Sequence, residues 1–161
     1  MFSEQQRFRQ WWLWSLILIA PGISVWAVIQ QVVIGFPFGD NPAPDYLLMT
    51  LLIVVGGGLP LFMYTAGLDT EVGDSGLYLR FRPFHFRRLR FDFSSIVIVE
   101  PHTYSPLKDY GGWGIRYGGN GKAYNVSGNK GVLLKFEDGR TLLIGSQRHE
   151  ELSLAIKARL R

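Results

Sequence analysis

The sequence predicts a two-helix membrane hairpin followed by a small, mainly-β soluble domain that ends in one helix. Three observations carry this. Two apolar stretches, Trp11–Ile34 and Tyr46–Gly67, contain no charged side chain, and at ~1.5 Å rise per residue each can cross a hydrocarbon core of ~30 Å. Beyond them the apolar period drops to two, the mark of half-buried strands. The last stretch returns to a helical period, with Leu152, Ile156 and Leu160 on one face.

Met1–Gln10 is polar and reads as a short interfacial start, with Arg7 and Arg9 near the headgroups. In the first span (about 11–34), Trp11, Trp12 and Trp14 stand where an interfacial aromatic belt belongs. The run exceeds the ~15 residues of a signal-peptide core, and no small-residue cleavage pattern follows. Pro21-Gly22 near its middle is expected to kink it. Gln30 and Gln31, near its outer end, suit headgroup contact or a hydrogen bond across a helix interface. The connecting loop, Gly35–Asp45, holds Asp40 and Asp45 but no Lys or Arg. The positive-inside bias therefore sets both termini in the cytoplasm of a multi-pass inner-membrane protein. The second span (about 46–67) carries Gly56-Gly57-Gly58, a flat patch for packing on the first span or for a homo-oligomer contact. Neither span holds an ionisable group, so an ion or proton pathway has no carrier.

The remaining residues, 68–161, form the expected soluble domain. Asp69–Gly76 reads as a polar linker. Leu77, Leu79 and Phe81 alternate with Tyr78, Arg80 and Arg82 up to Pro83; Leu89, Phe91 and Phe93 repeat the pattern. Ile96–Glu100 is an apolar strand with an irregular exit over Pro101–Tyr110. Trp113–Tyr117 and Lys122–Val126 flank Gly118-Gly119-Asn120-Gly121, a hairpin turn; Val132–Glu137 and Thr141–Ile144 flank Asp138-Gly139, another. Ser146 is placed to cap a final helix over 147–160. The count is about seven short strands, a partly open barrel whose end the helix covers.

Composition excludes several function classes. There is no cysteine among the 161 residues, hence no disulfide, thiolate metal site or iron–sulfur cluster. His85, His102 and His149 lack ligand spacing, so no metal or other cofactor is expected. No nucleophile elbow or phosphate-loop spacing occurs, and Glu150 and Glu151 suit the start of a helix without any catalytic role. The chain has 17 basic and 13 acidic residues, a net charge of +4. This excess is modest, and a membrane surface explains it without nucleic acid.

The runs GLYLRF, FDFSSIVIVEP, GVLLKFEDGRTLLIGS and EELSLAI resemble the bacterial pleckstrin-homology-like (PH-like) domains of small, uncharacterised membrane proteins; GGWGIRYG followed by AYNVSGNKGV resembles a subset of them. The resemblance covers about Gly76–Leu160. It implies a seven-stranded, helix-capped barrel with an unknown ligand, and no catalytic residue. Two candidate sites follow. Arg82, Arg87, Arg88 and Arg90, with Phe84 and Phe86 beside them, are placed to meet anionic headgroups; the plainer reading is a solvated strand face and edge protection. Trp113, Arg116, Tyr124 and Asn125 have the composition of a protein-contact cluster; the plainer reading packs Trp113 and Tyr124 in the core. The expected function is a non-enzymatic, membrane-anchored interaction module that binds a partner protein or supports assembly of a membrane complex. The alternative is an anionic-lipid-binding module at the cytoplasmic leaflet.

Overall fold

The computed structural model describes residues 1–119 and 121–160, which divide into two units. One is Phe8–Thr65; the other joins Met1–Arg7 to the chain from Ala66 onward.

The first unit is a pair of helices, α1 (Trp11–Val33) and α2 (Asp45–Thr65), both long and apolar enough to cross a membrane. Helix α1 runs through Pro21. Its last turn, Ile29–Val33, and the middle of α2, Leu52–Gly58, are wound as π-helix. The two glutamines at the end of α1 turn toward the connecting loop. Gln31 Nε2 donates to the Ala43 carbonyl (2.7 Å) and Asp45 Oδ1 (2.6 Å), and its Oε1 accepts the Phe38 N–H (3.2 Å). Gln30 donates to the Pro37 carbonyl at 3.2 Å. These bonds satisfy loop groups that three prolines and two glycines leave outside any helix. A small apolar cluster of Ala27, Val28 and Leu48, with Phe38, Ala43 and Leu52, lies beneath them. Trp11, Ile23, Trp26, Ile53, Leu61 and Tyr64 are exposed, so the outer faces of both helices are apolar and uncovered.

Among the described residues the β unit has nine strands in two sheets, against about seven expected. The first sheet has the order β1 (Phe2–Arg7), β2 (Gly67–Val72), β3 (Leu77–Arg82), β4 (Leu89–Phe91), antiparallel throughout. The second runs β5 (Ile96–Thr103), β8 (Lys130–Phe136), β9 (Thr141–Gly145), β7 (Gly121–Asn125), β6 (Gly114–Gly118), with β7 and β9 parallel. The barrel is not closed. No ladder joins the sheets among the described residues; they meet through side chains, with the Phe91 and Phe136 rings 5.6 Å apart and those of Phe81 and Tyr124 6.4 Å apart.

The two additional strands come from the stretches that read as interfacial start and polar linker. In β1, Phe2, Glu4 and Gln6 turn inward and Ser3 and Gln5 outward. Two of the three inward side chains are polar, which conceals the period. Both reach partners inside the fold: Glu4 accepts the Ser146 hydroxyl and the Gln147 N–H (2.9 Å), and Gln6 Nε2 donates to the Gly145 carbonyl (2.7 Å). In β2, Leu68, Thr70 and Val72 are buried while Asp69 and Glu71 are not. The register Arg7↔Gly67↔Arg82 means that the chain leaves for α1 and returns from α2 at one end of one sheet.

Beyond β5, a short helix α3 (Pro106–Tyr110) replaces the irregular exit. The last helix, α4, is shorter than expected, His149–Lys157. Ser146 sits ahead of it and accepts the Arg148 N–H at 3.0 Å while donating to Glu4. Leu152 and Ile156 are fully buried as α4 packs on β1, β2, β5 and β8. The β6–β7 hairpin forms with Gly118 opposite Gly121; Asn120, placed in its turn by the sequence, lies outside the described residues.

Candidate functional site

The arginines of the headgroup set are mostly paired within the β unit. Asp69, on β2, accepts from Arg82 Nη2 (2.6 Å) and Arg7 Nη1 (2.9 Å). Arg88 pairs with Glu71, and Arg90 with Asp92 at 2.7 Å. Only Arg87 of the four has no ion pair among the described residues, and it lies exposed in the turn after β3 beside exposed Phe84 and Phe86. That turn leaves the sheet at the end where Arg7 and Gly67 connect to the helices. Gly67 permits the crossing there: an added Cβ would lie 2.3 Å from the Gln6 carbonyl and 2.6 Å from Arg7 Nη1. Both pairs of Asp69 are part-exposed, so Asp69→Asn is expected to cost only about 1 kcal/mol, read as a lower urea midpoint of the full chain in micelles, and added salt is expected to narrow the difference from the wild type by screening its pairs.

The second set divides between surface and interior. Trp113 is half-buried and its indole N–H donates to the Gly128 carbonyl at 3.1 Å. Arg116 is exposed, its Nε bound to the Trp113 carbonyl at 2.9 Å. Tyr124 and Asn125 are 1% and 0% exposed; they hold the hairpin from inside and present nothing to a partner. Asn125 Oδ1 accepts the Gly114 N–H at 2.8 Å, fixing the start of β6. On the same face, Tyr104 and Tyr110 pack edge to face at 5.8 Å over Ala123 and Leu143. Burial pushes both phenols up. The Asn125 amide partly offsets this at Tyr104, and the Asp109 charge adds to it at Tyr110.

A third group was not foreseen from the sequence. Lys122 and Tyr124 lie on the opposite face of β7, with Tyr117 across from Lys122 on β6. Lys122 Nζ sits 5.3 Å from the Tyr117 ring centre and 4.9 Å from that of Tyr124, within cation–π range. The His85 ring, from the turn after β3, is 5.6 Å from Tyr124. Its Nδ1 accepts the Phe81 N–H at 3.2 Å, so the neutral ring carries its proton on Nε2. Burial, then the Lys122 charge, lowers the His85 pKa. Burial also pulls on Lys122, but the Tyr124 and Tyr117 hydroxyls beside it outweigh that and hold its pKa above the ordinary value. The Tyr117–Lys122 pairing follows from hairpin register. His85 arrives from the other sheet, which no local pattern announces.

Among the described residues, no three His, Asp or Glu side chains gather as a metal site. An apolar helical hairpin set between neighbouring strands of a two-sheet β unit, with cationic–aromatic surface around its turns, defines the structural class. The chain belongs to a family of unknown function, DUF6141, whose family model matches residues 1–160. Neither a curated protein nor a solved structure matches it.

Proposed function

We propose that this is a non-enzymatic, membrane-anchored interaction module: α1 and α2 cross the cytoplasmic (inner) membrane, both termini lie in the cytoplasm, and a PH-like β unit binds a partner protein or supports assembly of a membrane complex. The β1–β2 ladder carries the topology. Because Arg7 and Gly67 are paired neighbours, a chain that crosses once at α1 has to cross back at α2 for the sheet to form. The loop between the helices is acidic and the β unit basic, the sense of the positive-inside bias. The exposed surface of β6 supports the interaction role: Arg116 can meet an acidic group on its outer side, and Tyr117 is exposed next to it in sequence, the residue types that dominate interface energetics.

The natural absence of cysteine makes single-cysteine labelling clean. In intact cells, a membrane-impermeant maleimide is expected to label Asn41→Cys but not Ser75→Cys, and both after lysis. Labelling of Ser75→Cys in intact cells overturns the topology. For the interaction, the protein extracted in mild detergent is expected to migrate on native gels as a complex larger than its micelle-bound monomer, and Arg116→Ala to return it to the monomer position. Identical migration of variant and wild type counts against β6 as the contact surface.

The second reading, an anionic-lipid module, retains support from the turn after β3, where Arg87 has no ion pair among the described residues and Phe86 is 90% exposed. Pairing of Arg82, Arg88 and Arg90 with carboxylates reduces the charge that this turn offers to a headgroup.

A further inference from the structure

The geometry points to a binding site for a phosphate-bearing anion where the turn after β3 meets the β6–β7 hairpin, formed by Lys122, His85 and Tyr117 over the buried ring of Tyr124.

Every group the cluster presents is a donor. Lys122 is half-buried and has no carboxylate partner among the described residues, whereas Arg7, Arg82, Arg88, Arg90, Arg140, Arg148 and Arg159 each have one. The Tyr124 ring is buried and packs against both Lys122 and His85. His85 has committed Nδ1 to the Phe81 N–H, which leaves the Nε2 proton to give. The Tyr117 side chain, exposed beside Lys122, adds a hydroxyl. An ammonium, an imidazole N–H and an exposed phenol with no acid among them suit the several acceptor oxygens and negative charge of a phosphate ester.

The neighbouring surface is aromatic. Phe81 lies beside Tyr124, and Phe84, 6.2 Å from Phe81, is 60% exposed. A bare inorganic ion gains nothing from these rings, but the carbon side of an ester does. His85 and Phe84 belong to the turn that leaves the first sheet at the end where Gly67 pairs with Arg82. Phosphate esters reach such a place from two sources: the headgroup of a membrane phospholipid, or a soluble phosphate compound. The lipid source rests on the membrane placement proposed above; the anion site itself does not.

The test uses the full chain in neutral-detergent micelles, with the His85 ring followed by NMR. Three probes are titrated: inorganic phosphate, glycerol phosphate, and phosphatidylglycerol mixed into the micelles, with diacylglycerol as the phosphate-free control. Binding is expected to shift the His85 resonance and raise its pKa, because a bound anion opposes the field of Lys122. Lys122→Gln is expected to weaken binding at least about tenfold, the loss of one charge-assisted contact. Lys122→Arg restores most of it, and Lys130→Gln, at an exposed position on β8, leaves it unchanged. Tyr117→Phe, exposed and nearly isosteric, gives a second variant that keeps the fold and is expected to bind several-fold more weakly. Saturation by phosphatidylglycerol alone assigns the site to lipid; saturation by the soluble esters alone assigns it to a soluble phosphate compound. Absence of any His85 shift with all three probes, or equal shifts in wild type and Lys122→Gln, overturns the site. If cysteine labelling refutes the membrane topology while glycerol phosphate still binds, the site stands and only its lipid source falls.

Discussion

Glu4→Ala is expected to destabilise the β unit by about 2–3 kcal/mol, although the residue lies near the start of the chain in a stretch that looks like a solvated tail. The carboxylate accepts two hydrogen bonds, from the Ser146 hydroxyl and the Gln147 N–H. Bonds to a charged acceptor contribute about 1.5–3 kcal/mol, and truncation strands donors that are shielded from water. Ser146 in turn accepts the Arg148 N–H, so the change also loosens the approach to α4, whose Leu152 and Ile156 are in the core. Gln5→Ala, one residue along and facing outward, is expected to cost less than about 0.5 kcal/mol. Urea unfolding of the full chain in micelles, followed by the β-sheet circular dichroism band, measures both. Equal and negligible effects would mean that β1 is not part of the sheet.

The second large effect is expected at Gly118. A Cβ built there lies 2.0 Å from the Asp109 carbonyl oxygen and 2.9 Å from the Tyr110 ring. A backbone oxygen cannot rotate aside, so Gly118→Ala has to displace α3, at about 2–3 kcal/mol for overpacking of this kind. Gly119 has open space around its Cα, and Gly119→Ala is expected to be nearly silent. Lifting α3 also uncovers Tyr110. In the wild type Tyr104 and Tyr110 ionise above the ordinary value of 10.0 because burial disfavours the phenolate. The unfolded chain therefore releases those protons first, so their contribution to stability is present below pH 10.0 and is lost as pH rises through the raised folded values. Gly118→Ala is expected to bring the Tyr110 titration down toward its ordinary value, seen in the tyrosinate absorbance. An unchanged titration would mean that α3 has not moved.

How much of this was legible depended on whether apolar residues alone carried the signal. The helices were, because Trp11–Ile34 and Tyr46–Gly67 are apolar for longer than any core strand needs. Strands β3 and β8 were, because Leu, Phe and Val occupy their buried positions at period two, and β5 and β9 were, as short apolar runs bounded by turn residues. Strand β1 was not: Glu4 and Gln6 occupy inward positions, and their partners lie at the far end of the chain. Reading Asp69 and Glu71 as linker charges had a further effect, since it removed from view the carboxylates that pair with Arg82 and Arg88. The arginines stood out as a basic run, but their neutralisation depended on an unrecognised strand. The Lys122 group was invisible for a related reason: one of its members, His85, belongs to a different sheet.

The placement of α1 and α2 between β1 and β2 also sets an order of events during synthesis. Strand β1 emerges first and stays without its neighbour until the whole stretch 8–66 has followed it. On the proposed topology, both helices have to be threaded through the bilayer before β1 and β2 share a compartment and can zip together. A chain whose second helix fails to insert would leave its first sheet one strand short, with β2 as a raw edge and Ser146 without its carboxylate. Quality control would then have a soluble-phase signature by which to recognise an integration error made inside the lipid.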